Sequence, residues 1–223
     1  MIAGLQKMTV LDFPGKVACT VFLQGCNFRC PFCHNAELLP HEGEKFMEEA
    51  DFFSFLDTRK GLLDGVAITG GEPTGQPGLV NFIRGIKARG FAVKLDTNGT
   101  RPDILRQLAE ENLLDYVAVD VKNSPEKYAQ TVGLPHINLE KIEETLAFLI
   151  SGTVDYELRT TLVQQLHSAE DMEKIGAWLA GLVPGKKPKQ LYLQSFVHLD
   201  KLLMMKCLRK VLFPVHNIAE RQK

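Results

Sequence analysis

Cysteine is scarce in this chain: five among 223 residues, with a single tryptophan. Three of the five fall within eight positions, Cys26 to Cys33, so a disulfide framework spread over a small secreted scaffold is excluded. Charge of one sign is missing too. Lys and Arg number 26 and Asp and Glu 27, a net charge of −1, without the basic surplus of an electrostatic nucleic-acid binder. No run approaches the roughly 20 apolar residues that cross a bilayer. The opening Met1-Ile2-Ala3-Gly4-Leu5-Gln6-Lys7 has no basic region leading into an apolar stretch and a small-residue cleavage site, so a cytoplasmic protein is the expectation. Long linkers, low-complexity tracts and charge blocks are lacking as well, and one domain over 1–223 is expected.

What is present is an ordinary folding composition, 45% hydrophobic and 24% charged. A chain of this length buries about 70% of the surface its unfolded form exposes, so it needs no cysteine for stability. Short β-branched or apolar runs recur at 16–24, 65–69, 91–96, 115–120, 154–162 and 190–196. Amphipathic stretches lie between them at 46–58, 79–89, 102–112, Leu139–Ile150 and 169–182. In Leu139–Ile150 the apolar residues Leu139, Ile142, Leu146, Leu149 and Ile150 keep helical spacing. Strands alternating with helices predict an α/β fold with a parallel sheet. Six such units are too few for the closed eight-stranded barrel, so an open partial (β/α)6 TIM-like barrel is expected, with a doubly wound sheet as the alternative.

The predicted strands end in polar and glycine-rich motifs. They run into Gly25-Cys26, Gly70-Gly71-Glu72-Pro73, Asp96-Thr97-Asn98-Gly99, Asp120-Val121-Lys122 and Arg159-Thr160-Thr161. In barrel-like α/β folds the C-terminal ends of the strands form the active face, so these motifs predict one composite site. The sharpest is Cys26-Asn27-Phe28-Arg29-Cys30-Pro31-Phe32-Cys33, three thiols on one loop. Buried inert cysteines are the bland alternative. Structural zinc prefers four closed ligands, and the spare Cys19 and Cys207 are poorly placed to complete a set. Iron–sulfur clusters are held by thiolates, normally one per iron, so three cysteines leave one iron of four open.

The loop resembles the signature of the radical S-adenosylmethionine superfamily, in which CxxxCxxC with an aromatic before the last cysteine, here Phe32, holds a 4Fe-4S cluster. That resemblance implies that Cys26, Cys30 and Cys33 ligate the cluster and that S-adenosylmethionine binds the open iron through its amino and carboxylate groups. It also implies reductive cleavage to methionine and a 5′-deoxyadenosyl radical. Gly70-Gly71-Glu72-Pro73 is similar to the family's GGEP motif, whose glycines admit the methionine moiety while Glu72 holds its ammonium. Leu11-Asp12-Phe13-Pro14-Gly15-Lys16 and Cys33-His34-Asn35 resemble the glycyl radical enzyme activating branch, most of all the activating proteins of anaerobic ribonucleoside-triphosphate reductase. By the same likeness Asp96, Asn98, Asp120, Lys122 and Arg159 join Phe32, His34 and Asn35 as contacts of S-adenosylmethionine. A glycyl radical enzyme as partner and a flavodoxin- or ferredoxin-type electron donor are implied with them. From about His198 onward the likeness fades, and the extra cysteine groups of longer activases are absent between Cys33 and Glu72.

Elementary chemistry offers roles beside the resemblance. Arg159 suits a carboxylate through its planar fork. Asp96 and Asp120, on neighbouring strand ends, suit a shared cation or ribose hydroxyls, with Lys122 to neutralise them or to meet the cofactor carboxylate. Helix N-capping is the plain alternative for Asp96. Cys19 reads as a small core residue, His198 as a satisfied surface histidine rather than one reaching the adenosyl side, and His136 and His167 are assigned no role. Two other functions compete: a radical enzyme acting on a small molecule, as in deazaguanine biosynthesis, and a non-enzymatic zinc-binding α/β domain.

Overall fold

The structure, a computed structural model, describes residues 2–39 and 46–196. His198 and Cys207 lie outside them, as does the segment where the likeness fades. Seven strands form one sheet in sequential order: β1 Ile2–Thr9, β2 Ala18–Leu23, β3 Gly65–Gly70, β4 Ala92–Thr97, β5 Tyr116–Asp120, β6 Tyr156–Leu162 and β7 Leu191–Ser195. Strands β2 to β7 are parallel, β1 pairs antiparallel with β2, and β7 does not return to β1. The helices are α1 Glu49–Asp57, α2 Leu79–Lys87, α3 Pro102–Glu110, the single turn α4 Tyr128–Thr131, α5 Leu139–Ile150 and α6 Ala169–Gly181. An open α/β partial barrel is therefore the architecture.

Strand alternation sorts the residues onto two faces. Val66, Ile68, Val93, Leu95, Val117, Val119 and Leu158 pack with Phe82, Ile86, Leu105, Leu146 and Ile175 of the helices in one apolar core. Each such buried side chain contributes about 1.5–3 kcal/mol relative to exposure. The intervening residues Lys94, Asp96, Ala118, Asp120, Glu157 and Arg159 face the other way, so the barrel interior is polar where a closed barrel is filled with branched side chains. Helix α5 buries Ile142, Leu146, Leu149 and Ile150 as its spacing predicts. Ser168 and Asp171 start α6 with reciprocal capping bonds.

Two differences from the sequence expectation have physical causes. Strand β1 is absent from it, because an edge strand with Gln6, Lys7 and Met8 exposed carries no alternation to read. The helix expected over 46–58 begins only at Glu49, because Phe46 and Met47 are extended against β1: the Phe46 N–H donates to the Ile2 carbonyl at 3.0 Å and Met47 bridges Ile2. The Asp12-Phe13-Pro14-Gly15-Lys16 segment joins β1 to the start of β2, so it sits at the opposite end of the strands from the cysteines. Phe13 is buried there with its ring 6.3 Å from that of Tyr116, and Thr20 Oγ1 donates to Asp12 Oδ2 at 2.6 Å. That motif plugs the barrel bottom.

Candidate active site

The loop after β2 carries Cys26, Cys30 and Cys33 as half-buried free thiols. The Phe28 N–H donates to Cys26 Sγ at 3.3 Å, and the Cys33 N–H closes a turn onto the Cys30 carbonyl at 3.1 Å. Burial pushes the Cys26 thiol up to about 11, with Glu72 and Cys30 adding and Lys122 opposing. Burial also raises Cys30, against the pull of the Lys122 charge. Cysteine loop, Glu72 and Lys122 therefore stand within electrostatic reach of one another. Three thiols on one loop, with the Phe28 amide already aimed at the Cys26 sulfur, are a donor set suited to an iron–sulfur centre. Among the described residues no three His, Cys, Asp or Glu side chains converge on one point, as a single tetrahedral zinc would need.

Close backbone packing sets where the loop lies. A Cβ on Gly71 would stand 2.0 Å from the Gly25 carbonyl oxygen, and one on Gly70 would stand 2.3 Å from that of Leu23. The two glycines let β3 run against the end of β2, with the Gly71 N–H donating to Leu23 O at 2.8 Å and the Glu72 N–H to Gly25 O at 2.7 Å. Their missing side chains are what permits this approach of chain to chain. On the other side the Arg29 N–H donates to the Val132 carbonyl at 2.8 Å. Gly133, at φ +69°, brings the turn after α4 so near Arg29 that a side chain there would collide.

Glu72 is 3% exposed and caps the 3-10 turn Pro73–Gly75. Its Oε1 accepts from the Thr74 N–H (3.1 Å), the Thr74 hydroxyl (2.5 Å) and the Thr97 hydroxyl (2.7 Å), and its Oε2 accepts from the Asn98 N–H (2.6 Å). Burial raises its pKa, and these bonds offset only part of the shift. A carboxylate offers about four lone-pair sites, two on each oxygen, so Oε2 keeps acceptor capacity. Glu72 lines a cavity of about 150 Å³ together with Cys26, Asn27, Thr100 and Arg101. Pro73 is buried, and the Asn35 amide reaches back to the Gly70 carbonyl at 3.2 Å. Phe32 is buried and His34 exposed; both touch Phe196.

At the ends of β4 to β6 the expected residues form a charge network. Arg159 Nε lies 3.0 Å from Asp120 Oδ1, its Nη2 3.3 Å from Asp96 Oδ2 and its Nη1 3.6 Å from Glu157 Oε1. Lys122 Nζ is 3.0 Å from Asp120 Oδ2, and Lys94 pairs with Asp96. Three cations thus meet three carboxylates. Burial opposes ionisation of Asp120, but the Lys122 and Arg159 charges outweigh it and hold the carboxyl far below its ordinary range. Asp96 is lowered likewise, burial being overcome by Arg159 and Lys94. This bears on two of the readings offered by the sequence. Asp96 caps no helix, since α3 follows Arg101 and Asp96 is engaged within β4. Where a shared cation or ribose hydroxyls were expected beside Asp96 and Asp120, the Arg159 guanidinium pairs with both carboxylates. Arg159 itself is taken up by carboxylates of the chain, and Lys122 is the cation acting on Cys26 and Cys30.

Sequence reasoning missed several participants. Lys94, 1% exposed inside β4, pairs with Asp96 and stands 3.9 Å from Glu157; a lysine between Val93 and Leu95 in a buried strand was the available signal. Asn27, Asn98 and Thr100 close a ring: Asn98 Nδ2 donates to Asn27 Oδ1 (2.8 Å), Asn27 Nδ2 to Thr100 Oγ1 (2.9 Å) and Thr100 Oγ1 to Asn98 Oδ1 (2.7 Å). That ring ties the residue after Cys26 to the segment that holds Glu72. His167 accepts the Val163 N–H at Nδ1 (3.1 Å), which leaves its Nε2 proton facing the Lys122 carbonyl (2.8 Å). Nothing in the sequence marked that brace.

The family model of the radical SAM superfamily matches residues 20–175. A Methanocaldococcus jannaschii protein, provisionally named a glycyl-radical enzyme activating enzyme, is 36% identical over 180 residues, 78% of this chain and 73% of its own. The pyruvate formate-lyase-activating enzyme of Clostridium pasteurianum is 29% identical over 127 residues, 55% of this chain, and the match spans only about half (52%) of that relative. Among solved structures, Streptococcus suis SuiB bound to its precursor peptide SuiA superposes with a TM-score of 0.61 at 14% identity, over 80% of this chain and 38% of that one; it supports the fold alone. No helix among the described residues is long and apolar enough to cross a membrane. With the cysteine loop, the strand-end motifs and the open barrel in place, the chain belongs to the radical SAM superfamily and is homologous to glycyl-radical enzyme activating enzymes.

Proposed function

We propose that this chain is a glycyl radical enzyme activase whose partner is an anaerobic ribonucleoside-triphosphate reductase. The observation that carries the reading is the placement of Cys26 and Cys30, on the loop that also bears Cys33, within electrostatic reach of Lys122, with Glu72 lining one cavity with Cys26. Homology to a protein named as an activating enzyme supports it, as does the 4–35 stretch that resembles the reductase activators. A cluster held by the three cysteines, with S-adenosylmethionine, supplies the one-electron cleavage that yields a hydrogen-abstracting 5′-deoxyadenosyl radical. The chain's own part is binding and exclusion. Glu72 Oε2 offers a buried acceptor to the cofactor ammonium, and Lys122 offers a cation to its carboxylate, with Asp120 holding the lysine in place. Arg159 keeps Asp96 and Asp120 ionised and fixed. Phe32, His34, Asn35, Asn98 and the Gly70-Gly71 backbone complete the enclosure in this reading.

A radical that attacks most C–H bonds must be shielded from water and shown only the intended hydrogen. The unclosed side of the sheet leaves room for a partner's glycine loop as lid, and glycine suits the task because no side chain screens its Cα hydrogens. Reduced, reconstituted protein with S-adenosylmethionine alone should release 5′-deoxyadenosine slowly. Adding the reductase should accelerate release and leave a glycyl doublet in the paramagnetic resonance spectrum. Acceleration by a small heterocycle, with no radical on any protein partner, would transfer the assignment to a small-molecule radical enzyme. Glu72→Ala removes a charged hydrogen bond of about 1.5–3 kcal/mol and should weaken S-adenosylmethionine binding by about one to two decades, read by calorimetry on protein with full iron content.

A further inference from the structure

Phe196 follows β7 at the edge of the sheet opposite β1, and its N–H donates to the Leu162 carbonyl at 2.9 Å, prolonging the β6–β7 ladder. Its ring crosses to the cysteine loop. It stacks on His34 with centroids 5.0 Å apart and planes at 12°, and meets Phe32 edge-on at 6.3 Å and 78°. Phe32 and His34 are the two chain neighbours of Cys33, so one side chain from the last strand grips both flanks of the third cysteine. The first part of the loop is held differently, by the Asn27 ring, the Phe28 amide on Cys26 and the Arg29–Val132 bond. Behind Cys33 the chain has the turn onto Cys30, the Asn35–Gly70 bond and the Gly25 and Cys26 N–H bonds to the Leu38 and Leu39 carbonyls, all of them away from the Cys33 side chain.

We propose that Phe196 is a positioning residue for Cys33: it holds Phe32, Cys33 and His34 in the conformation that presents the thiol, and limits solvent access to it. The contact joins the end of β7 to the loop after β2, so side chains bridge a gap that the backbone of the open sheet leaves. Offset and edge-on ring contacts of this kind are directional, and a pair confers up to about tenfold in the equilibrium it biases. The inference rests on the cysteine loop being the cluster site, but the clamp itself can be tested without a cluster.

The test uses the full chain, metal-free and reduced, treated with iodoacetamide while alkylation of each cysteine is followed by peptide mass spectrometry. In Phe196→Ala the rate at Cys33 should rise about twofold to tenfold, with buried Cys19 unchanged as the monitor of global loosening. Phe196→Tyr should restore the wild-type rate, and Phe196→Leu replaces the alanine variant if that fails to fold. An unchanged Cys33 rate, a parallel rise at Cys19, or no rescue by tyrosine would overturn the clamp. A second arm follows iron release to a chelator after anaerobic reconstitution, and Phe196→Ala should release iron faster. Selective alkylation without faster iron release would leave the clamp standing for the metal-free protein and limit its role to that state.

Discussion

Around the cysteine loop, on the β2–β3 side, the chain is held by backbone contacts, amides and hydroxyls, whereas at the ends of β4 to β6 it is held by six charges. The first region is built from close approach: Gly70 and Gly71 against Leu23 and Gly25, and the Asn27–Asn98–Thr100 ring. Neutral directional bonds of that kind fix geometry without creating a field that would compete with a bound charged ligand. The second region is a balanced set, Lys94, Lys122 and Arg159 against Asp96, Asp120 and Glu157. Its members are costly to separate, because a buried charge that loses its partner keeps its desolvation penalty. Glu72 belongs to both, as a charge satisfied by neutral donors.

The largest effect should come from breaking the charged side. Lys94→Met leaves Asp96 and Glu157 short of a buried cation and should cost about 3–5 kcal/mol in denaturant unfolding. Lys189→Met, which breaks an exposed pair with Asp155, should leave the midpoint where it is. Equal midpoints for the two variants would mean that the interior network contributes nothing. On the neutral side Gly71→Ala forces a methyl into the Gly25 carbonyl and should cost about 1–3 kcal/mol, or more if the strand end cannot move. Gly75→Ala is the control, since no atom lies within 4 Å of its added methyl. Asn27→Ala should be mildest, about 0.5–1.5 kcal/mol, because it removes hydrogen bonds between neutral groups made by an exposed side chain. A loss for Asn27→Ala as large as that for Lys94→Met would erase the contrast between the two regions.

The parallel strands and their helices were legible because burial on one face leaves a periodic trace. Ile142, Leu146 and Leu149 are readable as a helix face before any coordinate is known. Strand β1 was not, because an edge strand needs apolar side chains on neither of its outer positions. The cysteine loop and Glu72 stood out by spacing and type. Lys94, Glu157, Asn27 and Thr100 did not, since single polar residues acquire meaning only from what lies across the strand or loop from them. Arg159 was legible as a partner for carboxylates, and the three that lie against it here come from β4, β5 and β6 of this chain.

By itself the sequence determined the class of fold, the polarity of the strand ends and the family, because alternation, helical period and three closely spaced thiols are local properties. Tertiary structure alone decided three things. It put Asp12-Phe13-Pro14-Gly15-Lys16 at the barrel bottom, although only nine residues separate Lys16 from Cys26, since one strand carries the chain from one end of the sheet to the other. It assigned the glycines of Gly70-Gly71 to packing against β2. And it filled the gap between Asp96 and Asp120 with Arg159, a residue 39 positions beyond Asp120, because parallel register sets Asp120 opposite Arg159 and Coulomb attraction completes the contact.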